Sequence, residues 1–338
     1  MGKNSLVELL GIAYPIIQAP MAGVTTPEFV SASAEAGALG SIGAGYLSAE
    51  ETRNFIRKVK TLTKMPFSIN LFVPEHVEPN QDQLRKAYEA LQPIGRKVEL
   101  PFWNALFSES EFEDQVRVVI DEGIKSCSFT FGLPNEKTIK LLKENDVFLI
   151  GTATTVEEAV LVEKAGLDAV VVQGSEAGGH RGSFSGDLRL IPLRELLPEV
   201  VAAVQLPVIA TGGIANKEMK EHALSSGAQA VQIGTALLAS YESGANPIYK
   251  QAILNAEEGA TVLTTAFSGK AARGLRNGFT ETMENAVIAP YPYQNDLTKE
   301  LRKVAAQQEM SDFMSLWAGE KVYLSNEGSV EEIIKSFN

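Results

Sequence analysis

The chain has 338 residues, with 30 Lys and Arg against 42 Asp and Glu, giving a net charge of −12. Hydrophobic residues at 45% and charged residues at 21% supply a large core and argue against disorder. The acidic balance argues against nucleic acid and anionic membrane surfaces, both of which reward clustered Lys and Arg. The single cysteine, Cys127, excludes an internal disulfide and any Cys-rich zinc or iron–sulfur site.

The opening Met1-Gly2-Lys3-Asn4-Ser5-Leu6 reads as neither an apolar leader nor a myristoylation signal, which needs Ser or Thr where Leu6 stands. No apolar run approaches the ~20 residues that span a bilayer. The expected location is the cytoplasm, and a homo-oligomer is left open.

In chain order, the first predicted strand is 15–19 (PIIQA), running into Gln18-Ala19-Pro20-Met21-Ala22-Gly23. Thr26-Pro27 then reads as a helix N-cap followed by proline at the first helical position. Strands at 38–43 and 66–71 follow, the latter ending in Asn70-Leu71-Phe72-Val73-Pro74. Residues 74–111 are a polar and aromatic insertion. The fourth strand, 126–132, holds Cys127 as a core residue, and the fifth is 147–152. Thr155-Val156-Glu157-Glu158 fits a capping box. The sixth strand, 168–173, leads into Gln173-Gly174-Ser175-Glu176-Ala177-Gly178-Gly179-His180-Arg181-Gly182. The seventh, 207–211, ends in Thr211-Gly212-Gly213-Ile214, and the eighth, 229–234, in Gln232-Ile233-Gly234-Thr235.

One unit recurs along this path. Gly37, Gly123, Gly166 and Gly227 each follow a helical pattern and suit the left-handed position that ends a helix. Three residues later a small residue (Gly40, Ser126, Ala169, Ala230) marks a strand start. The strands are continuous apolar runs, as buried parallel strands are. Eight such units predict a (β/α)₈ TIM barrel over residues 1–240, with the insertion 74–111 after the third strand. The competing open doubly wound sheet lacks its fingerprint, since Gly43-Ala44-Gly45-Tyr46-Leu47-Ser48 has no third glycine. Residues 241–311 are expected to form a lobe over the barrel mouth. Residues 312–338, ending in SVEEIIKSF, are expected to pack back on the barrel.

Chemistry in this fold sits at the C-terminal ends of the strands. Glycines there after strands seven and eight let backbone N–H groups approach an anion, which points to a phosphorylated ligand. The sixth loop has four glycines in ten residues and presents His180, which can accept or donate a proton near neutrality. His76 and His222 read as structural. The amides Gln18, Asn70 and Gln173 suit the paired donor and acceptor edges of a heterocycle, and Met21 with Ala22 offers an apolar floor. Lys270, Arg273 and Arg276 form the densest basic cluster, read as a solvated turn, as attracting an anionic substrate or as bracing a ligand phosphate, and Tyr291 and Tyr293 are candidates to close the pocket. No metal site is expected.

The segments QAPMAG, SINLF, QGSEAGGHRG, TGGI, QIGT, SGKAARG and YPYQNDLT, in this order, resemble the nitronate monooxygenase family, formerly 2-nitropropane dioxygenases. The resemblance covers roughly residues 12–320. It implies an FMN-dependent barrel enzyme that oxidises alkyl nitronates with O₂ to carbonyl compounds and nitrite by way of a flavin semiquinone. It implies FMN contacts at Met21, Ala22, Asn70, Gln173, Gly178, Gly213, Gln232, Ile233, Gly234 and Thr235, and His180 as the catalytic histidine. His180 would act either as a base toward a neutral nitroalkane or, protonated, as a counter-charge to the nitronate. The alternative is the FMN-dependent enoyl-acyl-carrier-protein reductase that uses NAD(P)H, which shares AGGH and GGI but tends to show Gly-Gly-Met and Glu where this chain has Ala19-Pro20-Met21 and Gln173. A dehydrogenase of the inosine-monophosphate type would need a cysteine in the sixth loop, and none is there.

Overall fold

The computed structural model describes residues 6–75, 77–107 and 109–338; residues 1–5 and His76, read above, lie outside them. Eight parallel strands form the central sheet: β1 (Ile16–Gln18), β2 (Gly40–Gly43), β3 (Phe67–Phe72), β4 (Ser126–Thr130), β5 (Phe148–Ala153), β6 (Ala169–Gln173), β8 (Val208–Thr211) and β9 (Ala230–Ile233). Their order is β1-β9-β8-β6-β5-β4-β3-β2, and a parallel bridge between Ile17 and Leu39 brings β2 back to β1, closing a (β/α)₈ barrel. The intervening strand β7 (Gly179–His180) belongs to a separate antiparallel sheet with β10 (Thr261–Thr264) and β11 (Ala272–Leu275).

The recurrent glycines all have positive φ, and the small residues three positions on (Gly40, Ser126, Ala169, Ala230) are the first residues of β2, β4, β6 and β9. The helix Pro27–Glu35 begins as expected, with the Thr26 side chain accepting from the Phe29 N–H. At the next capping site only half of the box forms. Thr155 accepts from the Glu158 N–H, but the Glu158 carboxylate turns away. It accepts instead from the N–H and hydroxyl of Thr154 and from the N–H groups of Phe184 and Ser185. Four donors around one buried carboxylate supply more than the box would, and they tie the loop after β7 to the barrel.

Side chains alternate along the strands. Ile16, Ile69, Cys127, Val170 and Val208 pack outward against the helices, whereas Ile17, Ile150, Val171 and Ile209 fill the barrel interior. A short helix, Leu6–Leu10, which the sequence pattern does not announce, joins that interior cluster through Leu6 and Leu10. At ~25 cal/mol per Å² of apolar surface, a buried leucine contributes about 2 kcal/mol, so this plug stabilises the barrel noticeably.

The two stretches outside the repeat share one core. Within 74–111 lies a 17-residue helix, Gln81–Lys97, whose Leu84, Leu91 and Ile94 pack with Phe267, Phe279, Leu297 and Leu301. Trp103 adds an indole N–H bond to the Leu297 carbonyl at 2.8 Å. Phe313, Met314 and Val322 belong to this second core, whereas Val330, Ile334 and Phe337 pack with the barrel helices.

Candidate active site

The C-terminal ends of the strands and the segment 316–321 enclose a cleft of about 1350 Å³, counting the solvent in its mouth. Met21 and Ala22 enter it after β1, Asn70 from β3, and Gln173, Gly178 and His180 from β6 and β7. Gly213 enters after β8, and Gln232, Ile233, Gly234 and Thr235 from the end of β9. These strand-end residues thus line one cavity.

His180 owes its position to the glycine-rich loop. β7 pairs with β11, His180 opposite Ala272, and the Arg181 N–H donates to the Ala271 carbonyl at 2.8 Å. Gln173 clamps the loop from beneath: its amide nitrogen donates to the His180 carbonyl at 3.0 Å and its oxygen accepts from the Gly182 N–H at 2.9 Å. The buried Arg181 guanidinium donates to the carbonyls of Gln173 and Gly174. Burial, with Arg273 nearby, pulls Arg181 down to about 10, so it stays charged at neutral pH. The loop also passes close to the segment after Trp317, since a Cβ placed on Gly178 would lie 2.4 Å from the Gly319 nitrogen. Only glycine allows that approach.

Nε2 of His180 lies 2.7 Å from Ser268 Oγ. Its ring packs edge-on against Phe131 at 5.5 Å and beside Trp317 at 5.3 Å. Burial, reinforced by the charges of Arg302 and Lys270, pulls the imidazole down from its ordinary value to about 3. At neutral pH the ring is uncharged. Ser268 Oγ also accepts from the Lys270 N–H at 3.3 Å and donates to the Lys270 carbonyl at 3.2 Å. With its one proton so placed, every group is satisfied when Nε2 carries the ring hydrogen and Nδ1 keeps a free lone pair. The tautomer is assigned from this hydrogen-bond count.

At the far side of the cleft, Gly212 and Gly213 adopt φ +113 and +69 after β8. The Thr211 hydroxyl donates to the Gln232 carbonyl at 2.8 Å, which registers the ends of β8 and β9, and Thr235 Oγ1 accepts from the Gly319 N–H at 3.0 Å. Lys321 lines the same side, its Cγ 3.9 Å from a Cβ built on Gly213. Among the described residues no carboxylate lies within 4.0 Å of its ammonium, which rests near the Tyr323 ring and hydroxyl.

Other sequence candidates lie elsewhere. Gln18 is wholly buried and holds β1 to β2, its oxygen accepting from the Ser41 N–H and its nitrogen donating to the Ser41 carbonyl. It has no face toward the cleft, because alternation after the inward Ile17 turns Gln18 outward, where its amide spans the gap to β2. Asn70 does line the cleft, though its nitrogen is engaged by Ser128 and Thr130 at 2.9 and 3.1 Å. The basic cluster divides: Arg273 is buried, paired with Glu320 and donating to the Ser175 carbonyl, whereas Lys270 reaches Glu75. Tyr291 packs at a tilt against Phe131, and the Tyr293 hydroxyl donates to the Val77 carbonyl instead of facing the cleft. His222 is exposed on the helix Lys217–Ser225. Cys127 is a buried core residue whose thiol burial pushes upward.

Sequence reasoning assigned no role to Ser268, Phe131, Trp317 or Lys321. Three of them lie beyond β9, where no barrel period marks a residue as strand-end. Phe131 sits in the left-handed region at φ +71, which the sequence gives no reason to expect of a phenylalanine.

Fold and cleft together define a (β/α)₈-barrel enzyme whose cleft is lined by a neutral histidine and by the glycine loops after β8 and β9. The nitronate monooxygenase family model matches residues 3–338, and the chain belongs to the nitronate monooxygenase family. It is 44% identical to a "Probable nitronate monooxygenase" of Bacillus subtilis (strain 168), covering 98% of this chain and 97% of that protein. Among solved structures, a nitroalkane oxidase from Streptomyces ansochromogenes superposes with a TM-score of 0.92 at 36% identity, covering 98% of this chain and 96% of that one. FabK from Thermotoga maritima superposes with a TM-score of 0.77 at 30% identity, covering 99% and 95%.

Proposed function

We propose that this protein is an FMN-dependent monooxygenase that oxidises alkyl nitronates with O₂, releasing a carbonyl compound and nitrite. One observation carries the reading: a neutral His180, anchored by Ser268, lines the same cleft as the bare glycine loops after β8 and β9. A cytoplasmic location belongs to the same proposal.

The residues present fit FMN. The glycines at 212, 213 and 234 let these cleft-lining loops pack close to Gly174, Glu176 and Ala19 with backbone uncovered, and Lys321 adds a cation with no carboxylate partner among the described residues, which suits a phosphate monoester. Met21 and Ala22 offer an apolar surface for a flat ring system, and Asn70 and Gln173 place polar atoms beside it. When bound there, FMN supplies the redox chemistry that links the organic substrate to O₂.

The chain's own residues handle substrate charge and the proton. Phe131 and Trp317 pack against the imidazole and shield two of its sides. Because the ring is neutral, it accepts the α-proton of a nitroalkane at Nδ1 while Nε2–H stays on Ser268, so the proton-acceptor role is favoured over the pre-charged one. For a substrate that arrives as the nitronate no proton need move, and His180, whose one N–H stays on Ser268, is then not required as a base. The neighbouring Arg302 cation favours the anion formed.

The test is nitrite release from an alkyl nitronate and from the parent nitroalkane, by wild type and His180→Ala. Loss confined to, or far larger for, the nitroalkane supports the base role. Undiminished turnover of both removes His180 from the reaction.

A further inference from the structure

A second depression lies against the outer wall of the cleft, lined by Glu75, Phe131, Leu133, Phe184, Leu188 and Lys270. Phe131 forms the partition, with its ring edge on His180 and its backbone held at φ +71, a conformation a bulky side chain adopts only when its surroundings impose it. Lys270 stands at the end of that partition. Its ammonium lies 5.0 Å from the Phe131 ring centre, 5.8 Å from that of Tyr291, and 2.9 Å from Glu75 Oε2. Its backbone is the one that brackets Ser268, and its charge is among those that oppose protonation of His180.

The two ends of this ion pair are unequal. The lysine side chain is 19% exposed, held by aromatic faces, whereas the Glu75 side chain is 52% exposed, on the loop after β3. A pair with one partner half in water is weak and exchangeable, and an incoming anion that enters the depression competes with Glu75 for a cation already in place. Arg273, by contrast, is committed to Glu320 and the Ser175 carbonyl.

We propose that Lys270 is the specificity-determining residue of this site: it captures the anionic form of the substrate at the outer depression, displacing Glu75, and so selects nitronate over neutral nitroalkane. The inference rests on the functional reading above. A neutral nitroalkane gains little from the ammonium, so the effect is a ratio between two substrates that differ by one proton.

The experiment measures kcat and KM for an alkyl nitronate and its parent nitroalkane with wild type, Lys270→Gln and Glu75→Gln. Lys270→Gln is expected to lower the nitronate-to-nitroalkane ratio of kcat/KM at least tenfold, mainly through the nitronate KM. Glu75→Gln is expected to raise the ratio severalfold. Equal losses on both substrates, or an unchanged ratio in Lys270→Gln, overturn the proposal. Should wild type release nitrite from neither substrate, the functional reading fails. Lys270 is then judged by binding of nitrate, an inert planar anion, followed through the fluorescence of Trp317, and equal affinity in wild type and Lys270→Gln overturns the assignment.

Discussion

His180 and Ser268, 88 positions apart in the chain, meet at 2.7 Å across the seam between the barrel loop and the sheet of β10 and β11. The contact is made from both sides: β7 pairs with β11, and Ser268 sits in the turn leading into β11, pinned by the Lys270 backbone. An imidazole on a glycine-rich loop becomes an imidazole of fixed tautomer.

Ser268→Ala should therefore hurt the step that needs a base. The variant is expected to lose at least about tenfold of the roughly 10²–10⁴ that a positioned base provides toward neutral nitroalkane, and less toward nitronate. Steady-state kinetics on both substrates check it. Equal effects would mean that the serine only supports the fold.

The lowered basicity of His180 fixes a direction for pH. The group binds its proton less readily folded than unfolded, so between about pH 6.5 and about 3 the unfolded chain holds more protons and stability falls as pH falls. In the same window His180→Gln is expected to show a smaller acid-induced drop in melting temperature than wild type. Turnover should agree: the acid limb of kcat/KM for nitroalkane should lie below pH 5, not near the ~6.5 of an ordinary histidine. A limb at 6.5 would show an unperturbed imidazole.

Two adjacent glycines separate packing from backbone strain. A Cβ at Gly178 meets the Gly319 backbone at 2.4 Å, whereas at Gly179, with φ +71, it meets nothing within 4 Å. Gly178→Ala is expected to cost about 1–3 kcal/mol and flavin retention, because backbone must move. Gly179→Ala should cost about 1 kcal/mol from the left-handed conformation alone. Urea unfolding and the flavin-to-protein absorbance ratio read the two costs.

Lys321 tests the cofactor assignment without reference to turnover. Lys321→Gln is expected to weaken FMN about tenfold, or about 1.4 kcal/mol, and to leave riboflavin, which lacks the phosphate, nearly unchanged. Fluorescence titration of the flavin-stripped protein gives both constants. Equal weakening of the two would place Lys321 away from the phosphate.

Much of this architecture is legible in the sequence because the barrel repeats. Gly37 to Gly40 and Gly227 to Ala230 obey the same rule, a left-handed stop followed by a small residue beneath packed helices, and each instance supports the others. Strand ends follow from strand positions, which is why Asn70, Gly213 and His180 converge as their places along the chain require. Gln18 fails because one residue along the strand decides whether a side chain faces the barrel interior or the outer, helix-covered face. The pairing of helix Gln81–Lys97 with residues 267–301 has no local signal: both are amphipathic, and nothing in either names the other as its partner. Ser268, Trp317 and Lys321 lie beyond β9, so they stay invisible until the β7–β11 pairing and the second core are assembled.

The most direct measurement adds an alkyl nitronate, and in parallel NADH, to the purified flavoprotein without oxygen while the visible flavin spectrum is followed. Rapid spectral change with nitronate and none with NADH is the expected result. Bleaching by NADH with indifference to nitronate would contradict it and assign the barrel to the reductase chemistry of the enoyl-acyl-carrier-protein type.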